Sequence, residues 1–138
     1  MLQHRTAAIY LWGYAAEMTL KVAWFRLIGF PDTKPILSRD LADAVTQATK
    51  VYGIPWPPYG KYHAIWHWAQ LLKTHRESLK GPYPDPRFAA ALLSHSQRVY
   101  NNWREVLRYK QNQAYLFEAQ TVRDSTQWLL QHRDQLAN

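Results

Sequence analysis

The run Ile9-Tyr-Leu-Trp-Gly-Tyr-Ala-Ala-Glu-Met-Thr-Leu-Lys-Val-Ala-Trp-Phe-Arg-Leu-Ile28 decides the fold class. It holds no proline, and its apolar residues cover most of a helical circumference. A helix apolar on nearly every side belongs inside a bundle. Glu17 and Lys21 lie one turn apart within it, so both charges are expected to be buried. An unpaired buried charge is expensive, and partners must come from elsewhere in the chain. The helix is expected over about Gln3 to Leu27. Gly29 then serves as its C-terminal cap and Pro31 bars continuation.

Helix signals also dominate the rest of the chain, and β-branched alternation is nearly absent. Ser38 is the expected N-cap of a short helix from Arg39 to about Val51. Gly53-Ile-Pro-Trp-Pro-Pro-Tyr-Gly60 cannot be helical and reads as a rigid, ring-rich connector. A helix over Tyr62 to Leu79 follows, ended by Gly81-Pro82. Asp85-Pro86 pairs an N-cap carboxylate with a proline at the first helical position. That helix is expected to reach about Tyr109. After a break at Lys110-Gln-Asn112, a last helix runs from about Gln113 to Leu136.

Phe88, Leu92, His95, Val99, Trp103 and Val106 recur at three- and four-residue steps and form one inward stripe. Tyr115, Ala119, Val122, Thr126 and Leu129 form another. The expectation is a single domain over residues 1–138. Its fold is all-α, an antiparallel up-and-down bundle of four to five helices.

The chain has 138 residues, enough to bury a core without staples, and no cysteine. Disulfide frameworks, thiolate metal sites and thiol catalysis are thereby excluded. Arg5, Glu17, Lys21 and Arg26 interrupt the N-terminal apolar stretch, which argues against a signal peptide or a membrane span. The chain reads as soluble, unprocessed and cytoplasmic, with no membrane partner. Lys and Arg total 17 against 10 Asp and Glu, a formal net charge of +7. That balance points to nucleic acid, nucleotides or an acidic protein as partners. Seven Trp and nine Tyr supply large burial energies, and most are expected in core or interface.

Several constellations bear on chemistry. His63 and His67 stand at i and i+4 in the expected helix and are the candidate metal pair. A site needs a third ligand, however, and no Glu follows His63 as a zinc-protease helix requires. The competing expectation is one surface histidine and one packed on Trp66 or Trp68. No metal or other cofactor is called for. His95 lies on the apolar stripe and reads as a hydrogen-bonded core residue. Ser94, His95 and Ser96 are adjacent and so diverge on a helix, which leaves nucleophilic catalysis without support. The five glycines form no phosphate loop. Arg104 and Arg108 share a helix face, with Arg98, Asn101, Tyr109 and Lys110 nearby. An Arg pair clamps phosphate oxygens and a tyrosine stacks on a base. The alternative is a solvated face whose cations relieve the helix dipole.

Gly13, Tyr14, Ala15, Glu17 and Lys21 match a Gly-aromatic-Ala-x-Glu-x-x-x-Lys pattern. In this the first helix resembles the opening helix of HEPN domains (higher eukaryotes and prokaryotes nucleotide-binding). The His63 helix is similar to the family's second long helix, and Trp103-Arg104 through Leu107-Arg108-Tyr109 to the end of its third. The resemblance spans most of the chain. It implies an antiparallel helical bundle, commonly a homodimer, often a metal-independent RNase or a toxin paired with a nucleotidyltransferase-like antitoxin. The family's catalytic signature is Arg, four to six residues, then His. No Arg–His pair in this chain has that spacing. Arg108 is the best positional counterpart of the family arginine, Arg104 is second, and the histidine has no counterpart.

The resemblance therefore implies a nucleotide- or RNA-binding or partner-binding module of a two-component system. Glu17 would pair with Arg108 or Arg104, and Arg98, Asn101, Tyr109 and Lys110 would complete the phosphate face. One alternative is a divergent metal-independent endoribonuclease using Arg104, Arg108, Glu17 and Lys21. Another is a structural dimerisation module built on the tryptophans and the connector.

Overall fold

The computed structural model describes residues 2–105 and 115–138. The described residues are helical, without strands: α1 (Leu2–Leu27), α2 (Ser38–Thr46), α3 (Ile65–Lys80), α4 (Pro86–Glu105), α5 (Leu116–Gln131) and α6 (Arg133–Leu136). Two short segments add to them, a π-helical turn at Gln47–Val51 that continues α2 and a 3-10 turn at Lys61–His63. The helices form a bundle: α1 packs on α5, α3 and α4, and α4 packs on α5 and α3.

The core runs along the centre of α1, where Ile9, Ala16, Leu20, Ala23, Trp24 and Phe25 are buried. Trp68, Leu71 and Leu72 from α3 meet them, with Leu92, Val99 and Trp103 from α4 and Val122 and Leu129 from α5. Gly13 allows the closest of these approaches. A Cβ on Gly13 would lie 2.5 Å from Trp103 Cδ1, so the indole lies flush against the α1 backbone.

Several boundaries differ from the sequence reading, each for a local reason. α2 begins at Ser38 itself. Leu37 occupies the N-cap, and Asp40 Oδ2 accepts from the Leu37 N–H at 2.7 Å. α3 begins at Ile65 rather than Tyr62, because residues 61–63 wind more tightly before it. The last helix is divided at His132, which raises the count to six and leaves α6 as one terminal turn. The inward stripe of α5 does not start at Tyr115, which is exposed. Glu118 is buried there instead, ahead of Val122, Thr126 and Leu129. The Asp85-Pro86 start is observed, with Asp85 Oδ1 accepting from the Arg87 N–H at 2.9 Å. Val106, Arg108, Tyr109 and the break at Lys110-Gln-Asn112 lie outside the described residues.

No helix among the described residues is long and apolar enough to cross a membrane.

Candidate functional site

Glu17 and Lys21 of α1 are buried as expected, 3% and 6% exposed. Among the described residues the carboxylate is met by Lys21 and His63, and Arg104 is not a partner. Lys21 Nζ donates to Glu17 Oε2 at 3.0 Å, and His63 Nδ1 donates to Glu17 Oε1 at 2.7 Å. Both carboxylate oxygens are thus satisfied without an arginine. Lys21 Nζ also lies 5.4 Å from the centroid of Trp68, over its ring, which adds a cation–π contact. Arg104 is exposed and sits over Tyr100 instead, and Arg108 lies outside the described residues.

The 3-10 turn that carries His63 is fixed by two indoles. Trp56 Nε1 donates to the Lys61 carbonyl at 2.6 Å and Trp68 Nε1 to that of Tyr62 at 3.1 Å. His63 meets Tyr14 edge-on at 6.4 Å and Trp103 at 5.8 Å. Its side chain remains half exposed. Because His63 precedes α3, it does not share a helix face with His67, and the i, i+4 metal pair does not form. Among the described residues no three His, Asp or Glu side chains cluster as a metal site.

His67 belongs to a different site. A cavity of about 420 Å³ opens between the connector, α3 and α4. Pro55, Trp56 and Pro57 form one wall, Trp66 and His67 a second, and Gln97, Tyr100, Asn101 and Arg104 the third. His67 stands among rings, 5.1 Å from Trp66, 5.5 Å from Trp56 and 5.4 Å from Tyr100 between centroids. Its Nδ1 is buried and has no hydrogen-bond partner among the described residues. Burial, with the Arg104 guanidinium as the smaller cause, holds the His67 pKa below the ordinary 6.5. The site therefore presents π faces, amides and a neutral imidazole, with one exposed guanidinium at the rim.

Of the residues singled out in sequence, Asn101 and Arg104 line this cavity. Arg98 is exposed but lies outside the lining, and Glu17 and Lys21 are buried apart from it. Tyr109, Lys110 and Arg108 lie outside the described residues. The sequence reading missed Trp56, Trp66, Gln97 and Tyr100. The helical register carried one signal: Gln97, Tyr100, Asn101 and Arg104 follow i, i+3, i+4, i+7, one polar face.

His95 is half buried as a hydrogen-bonded core residue, its Nδ1 3.0 Å from Ser125 Oγ and its ring stacked on Trp128. Burial lowers its pKa, with Arg98 and His132 as smaller causes, and burial lowers that of His75 too. These two imidazoles and His67 stay neutral in the folded chain at a pH where the unfolded chain takes up protons. The unfolded state then binds more protons, so their contribution to stability falls as pH drops below about 6.5. Urea unfolding at about pH 7.5 and about pH 5.5 is expected to give a lower midpoint in acid, and His67→Gln is expected to shrink that difference.

No family model, curated protein or solved structure matches this chain.

Proposed function

We propose that the chain is a HEPN-like nucleotide- or RNA-binding module whose ligand enters the cavity between the connector, α3 and α4. The observation that carries this reading is the composition of the cavity wall. Trp56, Trp66 and Tyr100 bring aromatic faces, Gln97 and Asn101 bring amides, and Arg104 brings an exposed cation. Aromatic faces stack on bases, amides read base edges, and a guanidinium takes phosphate oxygens. The formal net charge of +7 favours an anionic ligand.

Binding to a labelled single-stranded RNA across a salt series tests it. Affinity is expected to fall steeply with salt, and Arg104→Ala is expected to reduce the log–log slope by about 1. Trp66→Ala is expected to cost ~1–3 kcal/mol of binding, the usual worth of a base–aromatic stack. Weak binding that does not respond to salt would contradict the proposal.

A second reading, a divergent metal-independent endoribonuclease, draws support from His63. Imidazole moves protons near neutral pH, and a carboxylate on Nδ1 orients the ring. His63 has that arrangement with Glu17 while its side chain remains half exposed. In this reading the His63 imidazole takes the 2′-hydroxyl proton as the 2′-oxygen bonds to phosphorus, the bond from phosphorus to the 5′-oxygen breaks, and the leaving 5′-oxygen takes a proton from water. Cleavage of RNA in EDTA that His63→Gln abolishes without loss of RNA affinity would establish it. Absence of cleavage by the wild-type chain would leave binding alone.

A further inference from the structure

α1 is apolar almost all round, yet one of its sides is exposed among the described residues. Leu11, Met18 and Val22 are 71, 47 and 41% exposed, and with Ala15 they form a single stripe at helical spacing. From Ala15 to Leu27 that stripe is one wall of a groove of about 650 Å³. Leu130 of α5 and Ala137, just past α6, contribute to the opposite side. The wall on α1 spans twelve residue steps, about 18 Å at 1.5 Å per residue. That length accepts about three turns of a second helix.

The charges around the groove decide what kind of helix. Arg26, Lys80 and Arg133 line it, against one acidic side chain among the described residues, that of Asp134. Lys80 Nζ and Arg133 Nη1 donate to the backbone carbonyls of Ala137 and Leu130, which leaves both charges without an ion pair among the described residues. An apolar floor with basic edges complements an amphipathic helix with acidic flanks. A second copy of the chain fits poorly. A two-fold contact sets one surface patch against itself, and here it would bring basic edge to basic edge in a chain of formal net charge +7. A flat lipid surface does not fill a concave groove.

We infer that the groove between α1 and α5–α6 is a docking site for an acidic amphipathic helix of another protein, presenting apolar anchors at i, i+3, i+4 and i+7. The site is separate from the cavity beside Trp56 and does not depend on the reading given to that cavity.

A displayed library of helical peptides tests it. Each peptide carries Leu, Ile or Met at the four anchor positions and random Asp, Glu, Lys or Arg at the flanks. Selection on the full chain is expected to enrich Asp and Glu at the flanks. Val22→Lys, a change at an exposed position, is expected to reduce binding of the selected peptides by about tenfold or more. The Arg26→Glu/Arg133→Glu variant is expected to shift the enriched flanks towards Lys and Arg. Circular dichroism confirms that both variants fold. Three results would overturn the inference: no enrichment, enrichment without an acidic bias, or enrichment unchanged by Val22→Lys. Self-association of the chain that Val22→Lys abolishes would assign the groove to a second copy instead. Sedimentation with anionic vesicles that Val22→Lys abolishes would assign it to lipid.

Discussion

Replacing Glu17 by alanine is expected to lower the unfolding free energy by ~3–5 kcal/mol, the cost of breaking a buried ion pair from one side. The reason is the partner left behind. Lys21 is 6% exposed and its Nζ donates to Glu17 Oε2, so removal of the carboxylate leaves an ammonium among Trp68 and its apolar surroundings. His63 loses a bond as well, but its half-exposed ring turns to water at little cost. The pair also has an apolar alternative. Glu17→Leu together with Lys21→Met is expected to recover most of the loss, because well-packed hydrophobic residues often replace buried pairs at no net cost. Chemical denaturation of the two single variants and the double variant measures the coupling. A loss below ~0.5 kcal/mol for Glu17→Ala would show that the pair carries no burial penalty.

Trp103→Ala is expected to cost ~3–5 kcal/mol and to weaken RNA binding at the same time. Trp103 is 2% exposed, lies flush against Gly13, and meets Tyr14 and His63 edge-on. Its removal opens a cavity between α1 and α4 at the level of the His63 turn. Arg104 is the next residue, so loosening of this helix end displaces a group that lines the cavity beside Trp56. Gly13→Ala probes the same contact from the other side. A helical Ala is worth up to about 1 kcal/mol over Gly, but its Cβ would sit within 2.8 Å of three indole atoms, an overpacking of ~1–3 kcal/mol. A net loss is expected. A gain in melting temperature for Gly13→Ala would mean that the indole can move aside.

The sequence carried the burial of Glu17 and Lys21 because a helix apolar around most of its circumference has few positions open to water. It did not carry their third partner. His63 reads locally as part of α3, but the His63 N–H bond to the Gly60 carbonyl and the indole bonds from Trp56 and Trp68 to the carbonyls of Lys61 and Tyr62 hold the tighter turn that aims it at Glu17. Those bonds are local in the chain, but an indole bonded to a nearby carbonyl leaves no mark in a helical periodicity. The cavity divides in the same way. Its α4 wall was partly legible, since Asn101 and Arg104 lie on a polar helical face. Its facing wall came from the connector, where Pro and Trp exclude a helix without stating a path. Glu118 marks another limit, because a search for apolar periodicity passes over a buried carboxylate and begins the α5 stripe at Tyr115, which is exposed.

The most direct test of the proposed function is an NMR titration of the chain with a short single-stranded RNA, followed at the side-chain N–H signals. The indole signals of Trp56 and Trp66 and the amide signals of Gln97 and Asn101 are expected to shift together and to saturate at one ligand concentration. Saturating RNA that leaves those four side chains unmoved, or that shifts only residues of the groove beside Met18 and Val22, would contradict the assignment of the ligand to this cavity.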